Sequence, residues 1–487
     1  MTGQVATKSS PCYGRSAELQ ALERAWHRPG GQMMLLYGRP RLGKSYLLQR
    51  YFSSGQSGDD RPHCYFLAQK TTARAQRAAL VEALWHVFPS YMVSKAELAG
   101  SWSTIFRYLS DVGRRERFAL ILDDFQFLLD QSPDFPSMLK GWWDREGVHS
   151  SVMVVLCGSR MPSMEGLAEH GAPLFGRFNA GLFRMQTLSY EDVASFYGGR
   201  YSLADTLLMY GVFGGTARYH ALVDPSNPAR EEIVRLLLQP RAVLEEEARF
   251  VLDEETGDTA PYHAILSAVA RGETQSARIR EQTGLDSGTL ALHMETLQRM
   301  GWLYRERLFG EKSDRRMMCW MADPFPAFWY RFVAPHASAL RFGDCHEMFA
   351  SRVAPYLHDH MQRRVLREIC VEWLRRHGRD RLGWRVQSYG RSLTKDTHLP
   401  VDLIGDIGAG RIMVAAWTWE GAASLGDFDH LRRMATLLKR KEQPSYVMFA
   451  VDGFAPELHD LASDAGERLF LVSGQDLLPD ARADRGG

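Results

Sequence analysis

The chain of 487 residues is 45% hydrophobic and 24% charged, and its net charge is +1. This length exceeds what one hydrophobic core supports, so we expect several domains, and the balanced charge excludes a general electrostatic attraction to nucleic acid or membrane. Six scattered cysteines without C-x-x-C spacing, no apolar signal core at the amino terminus and no run of about eighteen apolar residues predict a cytoplasmic protein without membrane contact.

The segment 38–45, GRPRLGKS, matches the phosphate-binding pattern G-x-x-x-x-G-K-[ST] at every fixed position. Residues 33–37 predict a buried strand before it, and residues 46–52 predict a helix after it. A glycine turn that only joins strand to helix is the alternative, which the complete motif and both flanks disfavour. The expected contacts with ATP come from the loop residues Gly38, Arg39, Pro40, Arg41, Leu42, Gly43, Lys44 and Ser45.

Within this loop, backbone N–H groups and the helix amino terminus would bind phosphate oxygens. Lys44 is expected to reach the β- and γ-phosphates, and Ser45 is expected to ligate Mg²⁺. The sequence therefore predicts ATP and Mg²⁺ as the cofactors.

A second apolar run, residues 118–122, ends in two carboxylates, Asp123 and Asp124. In a parallel sheet these would lie at the carboxyl edge beside the glycine loop. Asp123 is expected to hold Mg²⁺ through water, and Asp124 is expected to activate the attacking water. A simple Asp-Asp turn at a strand end is the alternative, which the upstream loop disfavours.

A third buried strand, residues 152–156, leads to Ser159, a candidate sensor of the γ-phosphate. Arg177, at the end of Pro-Leu-Phe-Gly-Arg, is a candidate arginine finger that would stabilise charge on the transferring phosphoryl group. A surface arginine in an ion pair is the alternative for Arg177, and the sequence does not separate the two.

The middle of the chain predicts a helical lid over residues 190–258 and a winged helix over residues 259–335, which ends in an aromatic connector. Helices near 263–270, 274–282 and 288–300 precede a hairpin of two strands near 301–305 and 317–321. A basic wing would bind DNA phosphates, whereas the predicted third helix carries few basic groups, so a protein-interaction module is the equal alternative. The basic residues of the wing are Arg305, Arg307, Lys312, Arg315 and Arg316.

Residues 336–487 predict an α/β domain. Its segment 363–395 holds ten Lys or Arg residues against three acids, which either grips phosphates or forms a solvated helix face. Strands are expected near 384–387, 401–405, 412–417, 446–450 and 469–472.

Together these motifs resemble the archaeal-type ATPase family of the signal-transduction ATPases with numerous domains (STAND), an AAA+-like group with an additional strand in its P-loop sheet. Residues 13–19, YGRSAEL, resemble the entry motif of the family, which implies a nucleotide-binding role for Arg15. Residues 122–128, LDDFQFL, resemble a motif that usually reads Asp-Glu-Phe-Gln-Tyr. Further similarities are the segments 157–159, 173–177 and 214–219.

The resemblance implies an α/β fold: a P-loop ATPase core over residues 1–189, then the lid, the winged helix and a restriction-endonuclease-like domain. Asp124 replaces the usual glutamate, which favours slow hydrolysis. The nuclease site of the family uses a helix glutamate, an aspartate and a Glu-x-Lys; here only Asp402 matches. Gln362 occupies the position of the helix glutamate, and Ala416, Trp417 and Thr418 occupy the three positions of Glu-x-Lys. Glu420 lies four positions after Ala416 and could share its face of an alternating strand, but the lysine would still be missing, so we expect no cleavage.

These features predict an ATP-hydrolysing switch that couples nucleotide state to binding of DNA, of a protein partner or of further copies of the chain. Two alternatives are an ATP-dependent DNA nuclease, and an ATP-gated regulatory or defence scaffold that does not contact DNA.

Overall fold

The computed structural model of the protein describes residues 12–53, 61–89, 93–256, 259–311, 317–341, 343–393, 400–438, 444–464 and 468–478. The chain forms two compact units. The first comprises residues 1–187 and 216–218, and the second comprises residues 188–215 and 219–487. The finer division into four domains stays a prediction. In the described ranges, no helix combines the length and the apolar character that crossing a bilayer requires.

The first unit is an α/β layer structure around a parallel sheet of order β2-β3-β4-β1-β5. The predicted strands at 33–37, 118–122 and 152–156 are confirmed. Its elements are α1 (Ser16–His27), β1 (Gln32–Tyr37), α2 (Lys44–Ser53), β2 (His63–Leu67), α3 (Ala73–Val87), α4 (Lys95–Leu98), α5 (Trp102–Arg115), β3 (Phe118–Asp123), α6 (Phe125–Gln131), α7 (Phe135–Arg145), β4 (Val152–Gly158), α8 (Met161–Gly166) and β5 (Gly181–Arg184).

The central strands are apolar on both faces because helices cover both sides of the sheet. In β1, Met33 and Leu35 enter one buried cluster, and Met34 and Leu36 enter the other. Strand β4 lies between β1 and β3, so one additional strand separates the strand that leads into the glycine loop from the strand that ends in carboxylates. This order fits the additional-strand ATPase fold that the resemblance implies.

The helices of the second unit begin with the predicted helical region and the three helices before the hairpin. They are α9 (Tyr190–Tyr197), α10 (Leu203–Phe213), α11 (Ala217–His220, whose first two residues belong to the first unit), α12 (Ala229–Ile233), α13 (Glu247–Glu255), α14 (Ala260–Arg271), α15 (Ser276–Thr283) and α16 (Ser287–Arg299). Strands β6 (Leu303–Glu306) and β7 (Met318–Met321) then form an antiparallel hairpin. These are the elements that the winged-helix interpretation predicts. Residues 312–316 of the hairpin, which include Lys312, Arg315 and Arg316, lie outside the described residues.

The carboxyl-terminal part holds a mixed sheet of order β12-β11-β10-β9-β8. Strands β8, β9 and β10 are antiparallel, and β10, β11 and β12 are parallel. The elements are α17 (Pro324–Phe328), α18 (Ala337–Leu340), α19 (Cys345–Met348), α20 (Ala354–His360), α21 (Leu366–Leu382), β8 (Ser388–Leu393), β9 (Pro400–Gly408), β10 (Arg411–Thr418), α22 (Leu425–Thr436), β11 (Ser445–Ala450), α23 (Pro456–Ser463), β12 (Leu469–Ser473) and α24 (Gly474–Leu477).

The strand predicted at 384–387 is wrong, because β8 begins only at Ser388. Trp384 is buried and its ring lies 5.8 Å from that of Phe470, so this apolar residue packs in the core without joining a strand. Apolar character alone therefore does not fix where strand pairing starts.

Two histidines of the second unit are fully buried. His220 hydrogen-bonds the Gly214 carbonyl through Nε2 at 2.6 Å, and His360 hydrogen-bonds the Gly211 carbonyl at 3.2 Å. Burial lowers the pKa of His220 from 6.5 to about 4 and that of His360 to about 3. Both imidazoles are therefore neutral in the folded unit at physiological pH.

We predict that acid destabilises this unit as the pH falls below 6.5. Below pH 6.5 the unfolded chain binds protons at these histidines and the folded chain does not, so stability is full above pH 6.5 and falls as the pH drops toward 4. The loss is about 1.4 kcal/mol per pH unit for each histidine. Calorimetric unfolding at pH 7, 6 and 5 measures it; a transition temperature independent of pH would contradict the prediction.

Candidate nucleotide site

The glycine loop follows β1 and ends where α2 begins, at Lys44. A Cβ atom on Gly38 would lie 2.7 Å from the Met185 carbonyl oxygen, so only glycine fits there. Gly43 has φ +91° and Arg41 has φ +68°, which are left-handed backbone conformations. The predicted sequence of strand, glycine loop and helix is confirmed.

The Lys44 side chain is buried and folds back over the loop. Its Nζ donates to the carbonyl oxygens of Gly38 and Arg39 at 2.8 and 2.9 Å. Arg15 also reaches the loop, because its Nη2 donates to the Leu42 carbonyl at 3.2 Å. Lys44 and Arg15 therefore both bring positive charge to the loop, which is what a polyanionic ligand requires.

The parallel register brings the ends of β1, β3 and β4 to one edge of the sheet. Tyr37 pairs with Gly158, and Leu122 pairs with Leu156, so Asp123 and Asp124 share the edge at which the loop begins. Asp123 is only 1% exposed, and its Oδ1 accepts a hydrogen bond from the Asp124 backbone N–H at 2.9 Å. The carboxylate is thus oriented by the backbone as well as by its strand.

Tyr65, in the middle of β2, is a neighbour of this site that sequence reasoning missed. Its hydroxyl donates to Oδ2 of Asp123 and is also a hydrogen-bond partner of the Ser45 side chain. Burial and the Asp123 charge raise the pKa of Tyr65, so the hydroxyl stays protonated. It links the two residues expected to hold Mg²⁺. Its strand reads as an ordinary apolar run, so the sequence carries no signal for this contact.

Gln126 connects the other two predicted residues. Its Nε2 donates to Oδ1 of Asp124 at 3.0 Å and to Oγ of Ser159 at 3.1 Å, and its Oε1 accepts from the Ser159 backbone N–H at 3.2 Å. Gln126 belongs to the motif at 122–128, yet its contacts follow from the packing of α6 beside β4.

The oxygen ligands available here fit magnesium. The Ser45 hydroxyl and the two carboxylates are hard donors, and Mg²⁺ completes its octahedral shell with water and substrate phosphates. In the part of the chain that the structure describes, no group of three or more His, Cys, Asp or Glu side chains forms a metal cage. A metal at this edge would therefore depend on the nucleotide.

Arg177 lies in a surface ion pair. Its Nε and Nη2 donate to the two carboxylate oxygens of Asp144 at 3.2 and 3.0 Å, and its Nη1 donates to the Phe175 carbonyl. This is the alternative that the sequence left open, so a role as an arginine finger requires this pair to open.

The first unit also matches a known family. Residues 13–219 match the family described as an ATPase domain predominantly from Archaea. This match covers less than half of the chain. The chain is 23% identical over 334 residues to an uncharacterised protein of Methanocaldococcus jannaschii, which covers 68% of this chain and 70% of that protein. A second protein of that organism is 32% identical over 62 residues, which are 13% of this chain and 60% of that protein.

A solved structure shares part of the fold of this chain. The Walker-type ATPase of Pyrococcus abyssi superposes with a TM-score of 0.51 at 18% identity, covering 66% of this chain and 96% of that chain. At this identity the similarity concerns the fold alone. The α/β architecture with a parallel sheet, which was predicted for the ATPase domain, is thereby confirmed, and this sheet has five strands.

Outside the ATPase domain, the predicted remnant of a nuclease site is filled by protein contacts. Gln362 donates through Nε2 to the Trp417 carbonyl at 2.5 Å, and its Oε1 accepts from the Trp419 N–H at 2.9 Å. Burial raises the pKa of Asp402. The idea that Glu420 shares a strand face is wrong, because β10 ends at Thr418; Glu420 is exposed and pairs with His358 at 3.2 Å.

Much of the basic segment 363–395 is engaged within the second unit. Arg367 is fully buried between Glu306 of the hairpin and Glu368, and Arg391 pairs with the same Glu306. These contacts favour a structural role for the segment over free phosphate binding. Three more arginines form ion pairs: Arg363 with Asp359 at 2.6 Å, Arg376 with Glu191 at 2.8 Å, and Arg381 with Asp476 at 3.5 Å.

Proposed function

We propose that the chain is an ATP-binding and ATP-hydrolysing switch whose nucleotide state controls binding of DNA or a protein partner by the second unit. The observation that carries this proposal is the position of the Lys44 loop beside Asp123 and Asp124 at one sheet edge of an archaeal-type ATPase domain. The direct test is Mg²⁺-dependent uptake of labelled ATP by the purified chain, followed by phosphate release.

In the proposed mechanism, the loop N–H groups and Lys44 bind and orient the phosphates. Ser45 and Asp123 would hold Mg²⁺, which when bound neutralises charge on the β- and γ-phosphates. Asp124 accepts the proton of the attacking water. Ser159 contacts the γ-phosphate, and Arg177 serves as the finger once released from Asp144.

The proposed coupling to the second unit uses residues 214–219, one of the segments that resemble the archaeal-type ATPase family. Residues 216–218 belong to the first unit, although residues 190–215 before them and the chain after them belong to the second. The Gly214 backbone has φ +63°, and a Cβ atom there would lie 2.1 Å from Oδ1 of Asp323, which caps α17. The proposed path from 216–218 to α17 runs along the chain through Gly214.

DNA is the partner that the hairpin favours, because Arg305 and Arg307 are exposed on it. We predict DNA affinity that falls steeply with salt, and a log–log salt slope reduced by about two in the double variant Arg305→Ala and Arg307→Ala, since each arginine neutralises about one phosphate. Filter binding across a salt series, with and without ATP, measures this.

The matched control is Arg230→Ala, another exposed arginine of the second unit, which should leave the slope unchanged. If the wild-type chain binds no DNA under any nucleotide condition, the DNA part of the proposal fails and the scaffold alternative replaces it.

The nuclease alternative is expected to fail a direct test. Plasmid incubated with the chain and Mg²⁺ or Mn²⁺ should stay intact, because the Gln362 amide is committed to the Trp417 and Trp419 backbone and one carboxylate cannot hold the metal. Metal-dependent nicking that disappears in Asp402→Ala would contradict this prediction.

A further inference from the structure

Gln126 occupies a position between the proposed water-activating carboxylate and the proposed γ-phosphate sensor. It lies in the first turn of α6, one residue after Phe125 and two after Asp124. Its amide nitrogen donates to both Asp124 and Ser159. The two residues come from different strands, β3 and β4, so this side chain connects two ends of the sheet edge.

The hydrogen-bond chemistry fixes the orientation of this amide. Nε2 faces two acceptors, the Asp124 carboxylate and the Ser159 hydroxyl oxygen, whereas Oε1 faces a backbone N–H donor at Ser159. A reversed amide would direct its oxygen at the carboxylate and its NH₂ at the backbone N–H, which loses both of these bonds; only the Ser159 hydroxyl, which can donate as well as accept, could still pair with it. Only glutamine in this orientation satisfies the three partners together.

Packing confines the side chain as well. Gln126 is 3% exposed, and a Cβ atom on Gly158 would lie 2.6 Å from its Oε1 and 2.5 Å from the Met164 sulfur. The absence of a side chain at the end of β4 therefore makes room for the amide. A buried side chain with three hydrogen bonds and no alternative space has one conformation.

We infer that Gln126 is a positioning residue that holds Asp124 and Ser159 in a fixed relation, so that contact of Ser159 with the γ-phosphate is transmitted to the carboxylate that activates water. This inference rests on the proposed function and deepens it. It assigns to Gln126 the discrimination between ATP and ADP at the step that commits to hydrolysis.

The test replaces the amide and measures binding and turnover separately. In Gln126→Leu we expect kcat to fall about 10- to 100-fold, the range for a lost hydrogen bond to a charged group, with the Kd for Mg²⁺–ATP within about threefold of wild type. Calorimetry should also give an ATP-to-ADP affinity ratio reduced to that of Ser159→Ala, a readout that a merely structural role would not change.

A double variant examines the transmission directly. Gln126→Leu combined with Ser159→Ala should have a kcat close to that of either single variant, because both changes break one connection. Gln126→Glu keeps the acceptor for the Ser159 N–H but places a second acid beside the Asp124 carboxylate, so kcat should also fall. The unfolding temperatures of both variants show whether they are folded. Gln131→Glu, an exposed residue at the end of the same helix, is the matched control.

The inference is overturned if Gln126→Leu and Gln126→Glu both turn over ATP like wild type, or if the effects of Gln126→Leu and Ser159→Ala simply multiply. These results differ from failure of the proposed function, in which the wild-type chain itself neither binds nor hydrolyses ATP.

Discussion

Replacing Lys44 with alanine is expected to abolish ATP binding in the micromolar range. The ammonium group is held over the loop by the Gly38 and Arg39 carbonyls, where its charge is placed for phosphate oxygens. Losing charge-assisted hydrogen bonds to two phosphates costs about 3 kcal/mol, or about 100-fold in affinity. Titration with a fluorescent ATP analogue in the presence of Mg²⁺ measures the change.

The matched control for this prediction is Lys95→Ala. Lys95 belongs to the same unit and forms a surface ion pair with Glu82 at 2.6 Å, which contributes little to stability. Both variants should unfold within a few degrees of wild type. Unchanged affinity in a folded Lys44→Ala variant would remove the phosphate site from the proposal.

Replacing Asp124 with asparagine is expected to separate binding from turnover. An amide cannot accept the proton of the attacking water, so kcat should fall about 100-fold or more while the Kd for ATP stays within about threefold. Phosphate release in single and multiple turnovers, beside calorimetric binding, measures the two quantities. The control Asp130→Asn changes an aspartate of α6 whose partner is Arg160 at 2.8 Å.

Asp124 also has an unusual backbone. Its φ of +49° and ψ of +42° are left-handed, a conformation that aspartate and asparagine adopt more readily than other residues with a side chain. Asparagine at 124 should therefore preserve the fold. If Asp124→Asn hydrolyses ATP like wild type, another group activates the water.

The parts of the fold that the sequence predicts are those with local signals. The strands β1, β3 and β4 are continuous apolar runs because both of their faces are covered, and the loop between β1 and α2 carries fixed glycines. These features depend on neighbours in the chain. The order of the strands depends on packing between distant segments, and only the family resemblance indicated it.

The unpredicted parts of the site are the contacts between segments. Tyr65 reaches Asp123 across 58 residues, and Gln126 reaches Ser159 across 33. Neither residue belongs to a pattern that specifies its partner. The burial of Arg367 against Glu306 could not be predicted either, because the number of charges at 363–395 is the same whether Arg367 is exposed or buried.

The end strand of the second sheet has a consequence for solubility. Residues 308 and 309 run beside β8, with the Phe309 N–H donating to the Arg391 carbonyl at 2.7 Å and Leu308 bridging Arg391 in parallel. Gly390 permits this approach, because a Cβ atom there would lie 3.1 Å from the Arg307 carbonyl oxygen. An exposed edge strand can pair with strands of other molecules, which leads to aggregation. Residues 308 and 309 cover part of this edge strand, so strands of other molecules cannot pair with it there. A bulky side chain at 390 should therefore produce insoluble protein, although ATP binding is unchanged.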